Sequence, residues 1–115
     1  LKEVFLMLIH NKLVRDRIPE IIESAGKKFS TRILNEEEYM TELKKKSFEE
    51  LQEYMEATNH SEAIEELADL LEIMHALAEC HGSSIEEVES VRQEKAAKRG
   101  GFKEKVFLIE VEDSK

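Results

Sequence analysis

Apolar residues recur three and four positions apart along most of the chain, a spacing that predicts amphipathic helices. The first helix should be short. It should begin behind Asp16, which can cap it, and carry Pro19 in its first turn. It should end near Ala25, because the glycine that follows, Gly26, favours helix termination.

Two long helices are expected in the middle of the chain. Asn35, with Glu38 three residues later, is a capping-box signal, so the first long helix should start there and run to about Thr58. Ser61 is the expected cap of the second long helix, which should continue to about Cys80. Because so few residues separate the two helices, they should form a tight antiparallel hairpin.

The chain after Gly82 predicts one more helix. Ser83 or Ser84, each followed by a glutamate three residues later, should cap this fourth helix, which stops at Gly100. The apolar runs at residues 4–9 and 105–112 could pair as a small terminal β-ribbon, although such short runs do not distinguish a strand from a buried helix. The predicted class is therefore all-α and four-helix-bundle-like, with a long antiparallel hairpin.

The size of the chain favours a single domain covering residues 1–115. A helical chain of 115 residues, with 41% hydrophobic residues, buries a modest fraction of its surface. A symmetric partner would cover the apolar faces that remain, so we expect a homodimer or a homotetramer. Met7 could initiate the natural chain, in which case residues 1–6 would not belong to it.

The charge balance bears on the class of partner. A formal net charge of −9 disfavours binding to duplex nucleic acid and to anionic membranes. It suits an enzyme that places divalent cations between its acids and a phosphate substrate. The single cysteine, Cys80, cannot form an intrachain disulfide, and the first apolar run lacks the features of a signal peptide or membrane span. A cytoplasmic location is the expectation.

Four carboxylates occupy unusual positions on the two long helices. With a turn of about 100° per residue, Glu50 points into the apolar arc of the first long helix and Glu53 lies at its edge. Glu66 and Asp69 repeat this arrangement on the second. A solvated helix face is the ordinary explanation for a glutamate in so acidic a chain, but it does not account for acids on the apolar face.

The hairpin suggests which of these acids face each other. Residues equally distant from a tight turn lie at the same height on antiparallel helices. For a turn centred between residues 59 and 60, Glu53 should face Glu66, and Glu50 should face Asp69. Four converging carboxylates would repel one another, so this patch needs neutralising bases, protons or cations. Of these we expect a divalent cation, Mg²⁺ or Mn²⁺.

The same residues resemble a known family. Residues 49–53 (EELQE) and 66–69 (ELAD) resemble the EExxE…ExxD signature of the all-α, MazG-like nucleotide pyrophosphohydrolases. Residues 11–22 (NKLVRDRIPEII) are similar to the opening of small members described as phosphoribosyl-ATP pyrophosphohydrolase-like, and residues 98–102 (KRGGF) to their basic segment after the last helix. The resemblance covers most of the chain from Asn11 to Phe102.

The resemblance implies both an activity and a set of site residues. The expected reaction is hydrolysis of a nucleotide between its α and β phosphates, giving a nucleoside monophosphate and pyrophosphate. Glu49 or an acid without a metal would accept the proton of the attacking water. The implied metal ligands are Glu50, Glu53, Glu66 and Asp69. The candidates to neutralise phosphate charge are Lys12, Arg15, Lys95, Lys98 and Arg99.

Several of these residues have structural explanations as well. Lys98 and Arg99 would also stabilise a helix C-terminus, and Arg15 could pair with a surface acid. Lys46, one turn before Glu50, should balance the acids when metal is absent.

Two rival functions remain open at this stage. Glu72 and His75 form a Glu-x-x-His pair that a homodimer would duplicate, as in di-iron bundles, but both should lie on the polar side of their helix. A non-catalytic helical dimer, acting as a regulatory or interaction module, would keep the fold without the turnover.

Overall fold

A computed structural model describes residues 6–113 and shows an all-α chain, as predicted. Its helices are α1 (Ile18–Ser24), α2 (Glu36–Glu56), α3 (His60–Cys80) and α4 (Ile85–Arg99). Within the described residues no strand forms, so the predicted terminal β-ribbon is wrong for residues 6–9 and 105–112. An apolar run becomes a strand only where a neighbour supplies backbone hydrogen bonds, and these two runs do not pair. Residues 4 and 5 of the first run lie outside the described part.

The start of α2 is the capping box that the sequence predicts. The backbone N–H of Glu38 donates to Oδ1 of Asn35 at 2.8 Å, and the backbone N–H of Asn35 donates to Oε1 of Glu38 at 3.3 Å. Arg32 strengthens this end by donating to the Glu38 carboxylate at 2.8 Å. These contacts anchor the long helix that carries Glu50 and Glu53.

The start of α1 corrects one expected cap. Arg17, not Asp16, occupies the N-cap position, and its side chain makes no capping hydrogen bond. Its backbone is already near-helical, with φ −92° and ψ −1°, whereas a capping side chain needs an extended backbone to reach the first free N–H groups. Pro19 lies in the first turn as predicted, and Gly26, with φ 75°, follows the end of the helix.

The start of α3 corrects a second expected cap. Asn59, not Ser61, is the cap: its backbone is extended, and its Oδ1 accepts from the backbone N–H of Glu62 at 2.9 Å. Thr58 closes the same turn, because its N–H and hydroxyl donate to the Glu62 carboxylate at 3.1 and 3.2 Å. The connection between α2 and α3 is therefore residues 57–59, which lies earlier in the chain than the sequence predicted.

The last helix resolves the choice between two serines. The hydroxyl of Ser84 accepts from the backbone N–H of Glu87 at 3.2 Å and caps α4. Ser83 instead donates its hydroxyl to the carboxylate of Glu87. Gly100, with φ 84°, ends the helix as predicted, since that backbone conformation is strained for any residue with a side chain.

Packing is concentrated in the α2–α3 hairpin, which is bundle-like, and α4 adds to it by packing on α3. Across residues 6–113, α1 contacts no other helix. Among the residues that the structure describes, the buried apolar ones are Leu43, Ile73 and Ala78. None of the helices in the described range has both the length and the apolar character needed to cross a bilayer.

The surface of the chain is large for its mass. It exposes 11161 Å², whereas a compact 13.4 kDa protein is expected to expose about 6500 Å². The radius of gyration is 20.2 Å, compared with about 13 Å for a compact chain of this length. Apolar side chains on both long helices remain uncovered, among them Phe48 at 75% and Met74 at 46% exposure. One copy thus leaves much of its apolar helix surface in water.

Candidate metal centre

Three carboxylates meet where α2 packs on α3. Glu50, Glu53 and Glu66 each offer an oxygen atom, and these atoms lie within 4.8 Å of one another. We call these residues the glutamate cluster. Glu50 is only 7% exposed, Glu66 is half-buried and Glu53 is exposed. The cluster is therefore closed by the hairpin at one end and open to solvent at the other.

The short connection explains which acids meet. It is centred on Thr58, and Glu50 and Glu66 are equally far from that residue along the chain. They therefore lie at the same height on the two antiparallel helices, with Glu53 one turn closer to the connection. The predicted turn centre was more than one residue further along, so its pairing of Glu50 with Asp69 is corrected to Glu50 with Glu66.

Two oxygens in the cluster have no partner. Oε2 of Glu50 and Oε2 of Glu66 are shielded from solvent and accept no hydrogen bond. Two ionised carboxylates cannot bond to each other, because neither has a proton to donate. Either a shared proton or a cation would satisfy these atoms.

The electrostatics of the cluster follow from this crowding. Burial raises the pKa of Glu50, and the charges of Glu53 and Asp69 raise it further, while the contact with Glu66 opposes the rise. The pKa of Glu66 is raised to about 7, first by hydrogen bonding to Glu50 and then by burial. That hydrogen bond needs a proton on one of the two carboxyl groups. When both groups are ionised, Oε2 of Glu50 and Oε2 of Glu66 have no partner. The cluster thus resists carrying its full negative charge.

One lysine partly compensates the cluster. The Nζ atom of Lys46 lies 3.7 Å from Oε1 of Glu50, one helical turn along α2, where the sequence placed a balancing cation. A single ammonium group opposes three carboxylates, so the ionised cluster keeps an excess of negative charge. This excess is what would attract a divalent cation.

The fourth predicted ligand lies beside the cluster with a different partner. Oδ1 of Asp69 accepts a hydrogen bond from Nη2 of Arg15 at 2.6 Å. Asp69 is close enough for its charge to raise the pKa of Glu50, but it is not one of the three residues whose oxygens gather. The structure thus brings together three of the four predicted ligands.

The predicted phosphate-binding residues divide into two groups. Arg15 and Lys12 precede α1 and reach the hairpin, where the Nζ atom of Lys12 lies 3.9 Å from Oε2 of Glu49. Lys98 pairs with Glu94 at 3.6 Å on the same helix. The second group lies on α4 and consists of Lys95, Lys98 and Arg99. In the part of the chain that the structure describes, no ion pair joins these residues to the glutamate cluster.

The two residues of the di-iron alternative lie apart from the glutamate cluster. Glu72 is exposed, whereas His75, expected on a polar face, is half-buried in an open groove of about 410 Å³ between α3 and α4. Neither belongs to the glutamate cluster, which is the only group of three or more candidate ligands among residues 6–113. The Glu-x-x-His pair therefore does not assemble a site within one chain.

Sequence reasoning missed a cavity next to the cluster. It lies between residues 10–13 and α2, and Lys45 and Lys46 form part of its wall. The available signal was the run of three lysines at residues 44–46, which comes one turn before the acids at 49 and 50. Of these three lysines, only Lys46 was predicted to have a role, as a partner for Glu50.

The donor set limits the chemistry that this centre can perform. It consists of carboxylate oxygens from rigid helices, which suits Mg²⁺ or Mn²⁺ and not a metal that needs sulfur or nitrogen ligands. Its open end leaves room for water or phosphate in the metal's coordination shell. Compared with protein-family models, with curated proteins and with solved structures, the chain has no significant match in any of the three.

Proposed function

We propose that this chain is a Mg²⁺-dependent nucleoside triphosphate pyrophosphohydrolase, with Mn²⁺ as an alternative ion. It would hydrolyse the bond between the α and β phosphates and release a nucleoside monophosphate and pyrophosphate. The observation that carries the proposal is the glutamate cluster, with two shielded oxygens that lack partners. The resemblance of residues 49–53 and 66–69 to the MazG-like signature supports the choice of reaction.

The residues present fit a divalent cation. Glu50, Glu53 and Glu66 would hold it, and the unpartnered Oε2 atoms of Glu50 and Glu66 are the atoms that most need a cation. Asp69 would join them once it separates from Arg15. When bound, the ion supplies Lewis acidity toward the phosphates and lowers the pKa of a bound water.

The chain's own side chains would complete the site. Arg15 and Lys12, which approach the hairpin from the N-terminal side, would bind phosphate oxygens and offset their charge. Glu49 neighbours the cluster and is exposed, so it can accept the proton of an attacking water. The roles of Lys95, Lys98 and Arg99 rest on the family resemblance alone.

The proposed enzyme is a homodimer or a homotetramer. The support is the uncovered apolar surface of the long helices, because an exposed area of 11161 Å² far exceeds that of a compact chain of this mass. Obligate homodimers commonly bury about 2,000 Å² or more in total, which is less than the excess of about 4,700 Å² that each copy exposes. The net charge of −9 and the single cysteine support a cytoplasmic enzyme that binds neither duplex nucleic acid nor membranes.

The same apolar surface favours one alternative, a non-catalytic helical dimer that acts as a regulatory or interaction module. Such a module would use the helix faces and would not need the glutamate cluster to bind metal. Activity measurements separate the two functions directly.

The test is incubation with a panel of nucleoside triphosphates in Mg²⁺, with the products separated by chromatography. We expect pyrophosphate and nucleoside monophosphate as first products, and loss of both in Glu53→Gln. Glu56→Gln is the matched control, because Glu56 lies on the same helix but outside the cluster. If orthophosphate and a nucleoside diphosphate appear first, the proposed cleavage between the α and β phosphates is wrong. If no nucleotide is cleaved, the non-catalytic dimer replaces the proposal.

A further inference from the structure

A small cavity lies beside the glutamate cluster, between the segment before α1 and the middle of α2. Its volume is about 150 Å³. At ~30 Å³ per water molecule, this is room for about five waters, which suits a pair of phosphate groups. The charged and titratable residues in its wall are His10, Lys12, Glu42, Lys45, Lys46 and Glu49.

The wall of this cavity has an excess of cationic side chains. Three lysines face two glutamates within the wall, and Lys46 also lies 3.7 Å from Glu50 outside it. His10 adds a further nitrogen donor. The ion pairs in the wall are loose: Nζ of Lys45 lies 3.5 Å from Glu42, and Nζ of Lys12 lies 3.9 Å from Glu49. Each ammonium group has three donors, so these pairs leave N–H groups available to an anion.

One residue links the cavity to the glutamate cluster. Lys46 lines the cavity and also lies 3.7 Å from Oε1 of Glu50. A cavity with three lysines in its wall therefore ends next to an acidic group suited to a divalent cation. This order of charges matches a polyphosphate, whose reacting phosphate would be at the metal and whose remaining phosphates would extend toward the lysines.

We propose that the cavity lined by His10, Lys12, Lys45 and Lys46 is the subsite for the β and γ phosphates of the substrate and for the pyrophosphate released from it. The identity of the anion rests on the proposed function, whereas the presence of an anion site rests on the cavity and its charge. In this assignment Lys45 and His10 are binding residues. Lys46 both contacts the phosphates and balances Glu50.

The run of lysines at residues 44–46 provides an internal control. Lys45 and Lys46 line the cavity, whereas Lys44, on the same turn of α2, does not. Lys44→Gln, Lys45→Gln and Lys46→Gln each remove one charge from the same part of the same helix. Net charge and helix propensity are therefore matched, and Lys45 differs from Lys44 in lining the cavity and in its ion pair with Glu42.

The experiment is calorimetric titration of the full chain with inorganic pyrophosphate, once with EDTA and once with Mg²⁺. We expect binding in both conditions, tighter with Mg²⁺. Loss of a charge-assisted contact in Lys45→Gln should weaken it roughly tenfold. Lys44→Gln should remain within about twofold of the unchanged chain, as expected for a solvent-exposed charge outside the cavity. Binding to the unchanged chain that is undetectable at millimolar pyrophosphate in both conditions would overturn the subsite, and so would equal effects of Lys44→Gln and Lys45→Gln.

Failure of the subsite can be told apart from failure of the proposed function. If no nucleotide is hydrolysed but Lys45→Gln still weakens pyrophosphate binding, the anion site stands and the enzymatic reaction is wrong. If nucleotides are hydrolysed, yet Lys45→Gln and Lys44→Gln have the same KM and the same inhibition by pyrophosphate, the reaction stands and the subsite is wrong.

Discussion

Arg15 donates a hydrogen bond from Nη2 to Oδ1 of Asp69 at 2.6 Å, which joins the segment before α1 to the middle of α3. Both side chains are partly exposed, so the pair by itself adds little stability. Its position is more informative than its strength. Asp69 borders the glutamate cluster. Its carboxylate pairs with Arg15, and without that pairing it could serve as a fourth metal ligand.

Removing this arginine should release Asp69 toward the cluster. In Arg15→Gln we expect Mn²⁺ to bind the nucleotide-free chain several-fold more tightly, because a fourth carboxylate becomes available without competition. Activity should fall at the same time, because Arg15 is also a proposed phosphate-binding residue. The measurement is the midpoint of a Mn²⁺ titration followed by thermal unfolding.

Arg92→Gln is the control for this variant. Arg92 makes an arginine–carboxylate contact of the same length, 2.6 Å to Glu89, but both residues lie on α4 outside the cluster. Equal Mn²⁺ midpoints for Arg15→Gln and Arg92→Gln would show that Asp69 takes no part in metal binding.

Glu66→Gln should separate the electrostatic cost of the cluster from its use. At pH 8 and without metal, this variant should melt at a higher temperature than the unchanged chain, because it removes like-charge repulsion with Glu50 and Glu53. Millimolar Mg²⁺ or Mn²⁺ should raise the melting temperature of the unchanged chain. Glu66→Gln should show no such rise and should be inactive. Glu65→Gln, one residue away and exposed, should keep both responses. An active Glu66→Gln enzyme would contradict the assignment.

The stability of the metal-free chain should depend on pH through the same residue. The pKa of Glu66 is raised from 4.5 to about 7, so the folded chain holds this proton more tightly than the unfolded chain. The stabilisation linked to the proton is complete below pH 4.5 and is lost as pH rises through about 7. Glu50, whose pKa is also raised, contributes with the same sign.

Thermal unfolding in EDTA, measured from about pH 5 to about pH 8, tests this dependence. The unchanged chain should lose melting temperature as pH rises, and Glu66→Gln should show a shallower decline. Millimolar Mg²⁺ should reduce the decline, because the ionised carboxylates are the form that binds the cation. Identical profiles for the two chains would exclude the shared proton.

The uncovered helix faces predict self-association. Sedimentation should give a mass that is a multiple of 13.4 kDa. Met74→Glu, on α3, should shift the distribution toward one copy, because Met74 is 46% exposed in a single chain and a charge in an apolar interface is costly. Glu79→Gln, an exposed polar position on the same helix, should leave the mass unchanged. A single-copy mass for the unchanged chain would contradict the oligomer.

Local signals in the sequence were sufficient for the helices themselves. The capping box of Asn35 and Glu38, the cap at Ser84 and the stop at Gly100 involve residues within one turn of each other, so their outcome depends little on the rest of the chain. The presence of acids on the apolar faces of both long helices also followed from periodicity, and Glu50 is indeed buried. The caps that were wrong, Asp16 and Ser61, are positions where a neighbouring residue begins the helix instead.

The amino-acid sequence by itself thus determined an all-α chain with a long helix hairpin and acids facing its interior. Tertiary structure alone decided which acids meet, because one residue more or less in the connection rotates a helix by about 100° and shifts it by about 1.5 Å. The pairing of Arg15 with Asp69 and the cavity lined by Lys45 depend on how the segment before α1 lies across the hairpin. Contacts between residues so far apart in the chain leave no periodic or capping signal, since they arise only after the helices have packed.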